Sequence, residues 1–243
     1  NYIFPMGGAS EDPFTNAVFE VLVKEDVTNV IAIGQNVVER EMKRLKEHNI
    51  RVIYRDLSPT VERLVEAEKA GVDALIVTGY EAGGHMNDHK ISTLSLVPQI
   101  TASVKVPVIA AGGIIDGRGA KAAFAMGAEG VYMGTRFIAT EENPASIETK
   151  KALIDVKSED FIEFKSGMGH LRTIPTAAGK KALALINEGN YEEAYKYYGD
   201  GFKIGMLDGD LVNGTISVSE SAGGIHEILN CREVIGEIVN AIK

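Results

Sequence analysis

The chain has 243 residues, 45% of them apolar and 24% charged, with 26 glycines, no tryptophan and a net charge of −9 at pH 7. That composition is globular and excludes a disordered or fibrous protein, and an acidic balance without a basic stripe leaves no electrostatic footprint for nucleic acid. No run approaches the ~18 apolar residues that span a bilayer, no signal peptide is read, and the lone Cys231 fits a reducing compartment, so a soluble cytoplasmic protein is expected.

The chain opens without an initiator Met, inside a strand-like run, Tyr2 to Met6, followed by a Gly7-Gly8 loop. Ala17 to Lys24 reads as helix, with Glu11-Asp12 ahead of Pro13 as its start. Asn29 to Gly34 is a short apolar strand, and Val37 to His48 is a charged amphipathic helix with Val38, Met42 and Leu45 at helical spacing. Arg51 to Tyr54 is the next strand. Ser58-Pro59-Thr60 starts a helix with proline near its first position and Val61, Leu64, Val65 and Ala67 on its buried face.

The stretch from Asp73 to Phe137 organises the rest. Strands at Ala74 to Thr78, Pro107 to Ala111 and Gly130 to Met133 each end in a glycine-bearing loop. Helices are expected at Ile91 to Val104 and Gly119 to Met126 between them. The strands are continuous apolar runs, as in a parallel sheet covered on both faces. Six βα units are visible, where a closed barrel has eight. The fold expected is therefore α/β, a TIM-like (β/α)8 barrel lacking its first two βα units in this sequence.

After Thr140 the rhythm breaks. Helices are read at Pro144 to Ile154, Thr176 to Ile186, Tyr191 to Tyr198 and Ile225 to Ile242, a β-type run at Phe161 to Lys165, and a loop at Gly167 to Arg172. Residues 1–140 are taken as barrel units carrying the ligand site, and 141–243 as an appended helical region returning to the barrel.

Gly112-Gly113 follows a strand, with Ala111 before it, and Gly134-Thr135 repeats the arrangement one unit later. Glycine lets backbone N–H groups approach an anion, and a helix start favours negative charge. Either loop alone can be a tight βα turn; two in consecutive units favour the phosphate site common in barrels. Gly83-Gly84-His85 sits at the carboxyl end of a neighbouring strand, where barrel active sites lie. A histidine there can take or give a proton near neutral pH. His85 and His89 have metal-ligand spacing only on a helix, and the two glycines argue for a loop, so no metal site is expected. Asp88 is read as a cap of the following helix. His48 and His226 are read as surface residues of helices, His170 as a loop residue, and Cys231 as structural.

Together, GYEAGGH and PVIAAGGIIDGRGAKAAFAMGAEGVYMGTRF resemble the FMN-dependent nitronate monooxygenase family, whose architecture the flavin-dependent enoyl-ACP reductases share. A weaker likeness covers GDLVNGTISVSESAG, Gly209 to Gly223. The resemblance implies non-covalent FMN, with its phosphate held at Ala111, Gly112, Gly113, Gly134 and Thr135, its ring beside Gly83 and Gly84, and His85 as the catalytic histidine. It implies oxidation of a small-molecule nitronate by oxygen, or reduction of an enoyl thioester by NAD(P)H. A homodimer is left open, as is a flavin-binding protein without catalysis. Thr78 and Glu220 stand where relatives carry Glu or Gln and Gln, and Arg55-Asp56 fills a loop that is usually small and uncharged. A sugar-phosphate isomerase or aldolase ranks last, because neither Lys105 nor Lys121 sits at a Schiff-base position.

Overall fold

The computed structural model describes residues 2–6, 13–166 and 169–243. Its first half alternates β1 (Tyr2–Pro5), α1 (Pro13–Lys24), β2 (Asn29–Gly34), α2 (Glu39–Glu47), β3 (Arg51–Asp56), α3 (Val61–Lys69) and β4 (Ala74–Thr78). Then follow β5 (Gly84–Met86), α4 (Thr93–Thr101), β6 (Val108–Ala111), α5 (Gly117–Ala125) and β7 (Gly130–Tyr132). The remainder comprises α6 (Thr135–Ile138), α7 (Ile147–Asp155), β8 (Ile162–Ser166), β9 (Gly169–Thr173), α8 (Ala177–Asn187), α9 (Tyr191–Tyr198), α10 (Gly201–Met206) and α11 (Cys231–Ile242).

Six strands form one sheet in the order β1-β2-β3-β4-β6-β7, and the pairs β1–β2, β2–β3, β3–β4 and β4–β6 are parallel. This is the α/β, TIM-like arrangement. All five residues of β4, ALIVT, are buried, as expected for a strand covered on both faces. Each fully buried Leu or Ile side chain contributes roughly 1.5–3 kcal/mol.

The chain forms two compact units. The first comprises Asn1–Thr78, Thr93–Ala111 and Ala123–Val131; the second comprises Gly79–Ser92, Gly112–Ala122 and Tyr132–Lys243. In the second unit a smaller antiparallel sheet runs β5-β9-β8. Leu171 and Phe164 from this sheet join Ala182, Leu185, Ala194 and Tyr198 in a buried cluster. A separate cluster gathers Leu153, Ile174, Ile216, Val218 and Ile225.

Several sequence expectations are corrected. The loop expected up to Arg172 is strand β9 from Gly169, because pairing on both sides, with β5 and β8, overrides the glycine signal. His85 likewise lies in a three-residue strand and not a loop. The final helix starts at Cys231, where Asn230 and Glu233 form a capping box, so Ile225 and His226 precede it. Thr60 caps α3, which leaves Pro59 outside the helix. Asp88 is not the cap of α4, which begins at Thr93; the neighbouring Asn87 instead accepts the Ile91 N–H at 3.3 Å. The expectations for Gly7-Gly8, Glu11-Asp12, Gly167 and Met168 lie outside the described residues.

Candidate active site

Three of the sequence-predicted residues of the second unit, Gly83, Gly113 and Thr135, lie against the segment Val218 to Ser221. Ser219 is its centre. Its N–H donates to Thr135 Oγ1 at 2.9 Å, its hydroxyl donates to the Glu81 carbonyl, and its Oγ accepts the Ser221 N–H at 3.1 Å. Gly83 lies against the backbone of Val218 and Ser219, and any side chain there would overlap it. Gly112 (φ +94°) and Gly113 (φ +77°) hold conformations that L side chains rarely adopt. A Cβ on Gly113 would come within 3.0 Å of Glu81 Cβ and 3.1 Å of Ser221 Oγ. Gly83, Gly113 and Thr135, far apart in sequence, are thus linked through Ser219 and its partners Glu81 and Ser221. Gly134 is exposed, with open space where its side chain would be. Ala111, by contrast, ends β6 in the first unit, where its carbonyl accepts the Thr93 hydroxyl at 3.2 Å.

The start of α5 is met by carboxylates of the chain itself: Asp116 accepts the Gly119 N–H at 2.8 Å, and Glu237 accepts the Gly117 N–H at 3.3 Å. Negative charge already occupies that end.

His85 lies on β5, at the edge of the small sheet, with its side chain exposed. Partial desolvation lowers its pKa from 6.5, which keeps the imidazole neutral at neutral pH. His170, on the central strand β9, stacks edge-on against Tyr80 at 6.5 Å. Cys231 heads α11, and its thiol lies 3.6 Å from Thr140 Oγ1.

Sequence reasoning missed two buried arginines. Arg136 donates to the carbonyls of Glu227 at 3.1 Å and Ala139 at 3.2 Å, and its buried Nε has no partner among the described residues. Burial lowers its pKa. Arg172 is 1% exposed and pairs with Glu163 and with Glu220, the latter at 3.0 Å. Tyr80 Oη donates to Glu163 at 2.7 Å. Glu163 is lowered below the usual carboxylate range: burial alone would raise it, but the hydrogen bonds from Tyr80 and Arg172 outweigh that. Glu220 is raised, chiefly by burial, with Arg172 opposing. Nothing singles out Arg172 in the sequence, where it closes the loop read from Gly167.

The sequence profile described as "Nitronate monooxygenase" matches residues 9–241. The chain belongs to the nitronate monooxygenase family. It is 41% identical over 170 residues to a probable nitronate monooxygenase of Staphylococcus aureus strain MSSA476, a match covering 67% of this chain and 44% of that protein. The match thus spans less than half the length of this curated relative. Among solved structures, FabK from Thermotoga maritima is similar at a TM-score of 0.87 and 32% identity, covering 99% of this chain and 74% of that one. Nitroalkane oxidase from Streptomyces ansochromogenes shares the fold at a TM-score of 0.75 and 23% identity, over 97% of this chain and 70% of that one.

Proposed function

We propose that this nitronate monooxygenase family member binds FMN and oxidises small alkyl nitronates with molecular oxygen. The observation that carries the reading is the convergence of Gly83, Gly113 and Thr135 on Ser219 and Ser221. The residues present fit a flavin phosphate. Gly112 and Gly113 turn their backbone without side chains, and Gly134 borders open space, so N–H groups there can approach an anion. On this reading Gly112-Gly113 and Gly134-Thr135 hold the phosphate, and Gly83 and Gly84 border the ring. When bound, the flavin supplies a two-electron acceptor that oxygen can reoxidise.

His85 takes the proton work. Its neutral ring nitrogen accepts the proton of the nitronic acid, the protonated form of the substrate, and so leaves the nitronate anion to be oxidised; the lowered pKa keeps that nitrogen available at neutral pH. The expected pH profile has an acid limb: kcat/KM falls as pH drops through the His85 pKa, with a midpoint below 6.5. The test is direct. Purified protein should absorb as a flavoprotein and consume oxygen with a nitronate in the absence of NAD(P)H. A positioned general base contributes ~10²–10⁴-fold, so His85→Ala should lose activity on that scale together with the acid limb. Undiminished turnover in that variant would end the role given to His85.

The greater likeness to FabK than to nitroalkane oxidase supports a second reading, a flavin enoyl-thioester reductase driven by NAD(P)H. Rapid anaerobic bleaching of the bound flavin by NADH would select it.

A further inference from the structure

Arg172 is the largest fully buried side chain among the described residues. A guanidinium cannot lose its charge in a protein and carries five N–H donors in a rigid fork. Burying it is costly unless each donor finds an acceptor. Here they do. Nε and Nη2 both reach Glu163 Oε1, Nη2 also reaches Glu220 Oε2 at 3.0 Å, and Nη1 donates to the carbonyls of Tyr80 and Ala82 at 3.0 Å each.

The two carbonyls mark what this assembly holds. Tyr80 and Ala82 flank Glu81, whose own carbonyl accepts the Ser219 hydroxyl. Three consecutive carbonyls just ahead of Gly83-Gly84-His85 are therefore fixed by side chains from distant parts of the chain. The backbone of the same arginine pairs with the far end of the loop, with Gly84 opposite Arg172 and His85 opposite Leu171. Arg172 thus grips the segment by its side chain before the two glycines and by its main chain at the second of them. Two glycines in sequence would otherwise leave the His85 backbone loosely determined.

We infer that Arg172 is a positioning residue that sets the place of His85 by holding the 80–84 segment from both ends. The inference rests on the proposed role of His85. Lysine at 172 keeps the charge but offers a single flexible ammonium, which cannot serve two carbonyls and two carboxylates at once. A displacement of about 1 Å at a catalytic group costs on the order of 10²-fold in rate.

The test pairs two readouts in the full chain. Hydrogen exchange followed by mass spectrometry on Arg172→Lys should show faster exchange confined to segments 79–92 and 169–173, with the rest of the protein unchanged. Turnover should fall about 10²-fold with flavin content retained, and His85→Ala added to Arg172→Lys should cost nothing more than His85→Ala alone, because residues acting as one unit are non-additive. Exchange that is unchanged, or raised throughout the protein, would overturn the inference whatever the activity. Losses that multiply in the double variant would overturn it while leaving the role of His85 intact. If His85→Ala alone keeps full turnover, that role fails and the inference falls with it, an outcome read independently of the exchange data. Should Arg172→Lys not fold, Glu163→Gln is the second variant. It keeps the shape and weakens the hold on the guanidinium, and should give a several-fold fall, again without further loss in the His85→Ala background.

Discussion

Each of the two units holds an arginine, a tyrosine and a carboxylate in one assembly, and the two are built in opposite senses. In the first unit the carboxylate is the buried partner. Asp56 is 1% exposed and Arg63 is 31% exposed, with Arg63 Nε and Nη2 on Asp56 Oδ2 at 3.0 and 2.9 Å, Tyr54 Oη at 3.2 Å and the Ser58 N–H on Oδ1 at 2.8 Å. In the second unit the guanidinium is buried, and its partners Glu163 and Glu220 remain 32% and 36% exposed. A buried carboxylate can relieve its cost by shifting its pKa, and burial raises Asp56 despite the hydrogen bonds from Ser58, Arg63 and Tyr54. A buried guanidinium has no such release, so it must gather acceptors. Asp56 accordingly finds its partners between residues 54 and 63. Arg172 draws together segments about 90 residues apart. Which partner is buried decides whether the assembly finishes a local strand end or ties a loop in place.

The largest effect expected from this contrast is on stability. Arg172→Met strands two partly buried carboxylates and two carbonyls, and breaking a buried pair from one side costs about 3–5 kcal/mol. Asp56→Asn leaves an oxygen to accept from Ser58 and leaves Arg63 able to turn to water, so about 1–2 kcal/mol is expected, the scale of one unmet hydrogen-bonding group. Urea denaturation of both variants measures the difference. Equal costs, or the reverse order, would break the comparison.

Much of the fold was readable in the sequence because it rests on local pattern. The apolar runs NVIAIG and ALIVT are strands at the expected residues, and the glycine pairs at 83–84 and 112–113 mark where backbone is closely packed or unusually turned. What escaped depends on tertiary partners. β9 contains the glycine of a loop, yet it is the middle strand of a three-stranded sheet. Arg172 looks like a surface arginine until Tyr80 and Ala82 are brought to it. Asp56 stood out as a charge after a strand, but nothing local indicated that Arg63, on the next helix, would close over it. Ser219 gave no signal beyond a run of small residues, because its role lies in joining Glu81 to Thr135.

Acid titration separates the assemblies by sign. Glu163 is held below its ordinary 4.5, so its contribution is present above pH 4.5 and is lost as pH falls through the folded value. Asp56 is raised above 3.8, so its contribution is fully present below pH 3.8 and is lost as pH rises through the folded value. The stability deficit of Glu163→Gln should therefore shrink on acidification, and that of Asp56→Asn should shrink as pH rises toward neutrality. Two deficits that drift the same way with pH would contradict the opposed build of the two sites.

The smallest effect comes from the tyrosines, and it should run against the order set by their neighbours. Tyr54 is 1% exposed, with its hydroxyl shared between Asp56 and the Gly34 carbonyl at 3.2 Å each. Tyr54→Phe removes a donor where water cannot replace it, at a cost of about 1 kcal/mol. Tyr80 is only half-buried, and Glu163 keeps both arginine contacts when the phenol is gone. Water can reach the vacated position, so Tyr80→Phe should lie within ~0.5 kcal/mol of the unaltered protein. The weaker of the two arginine sites thus carries the more costly tyrosine, because the penalty follows the burial of the group left unpaired and not the strength of the assembly around it.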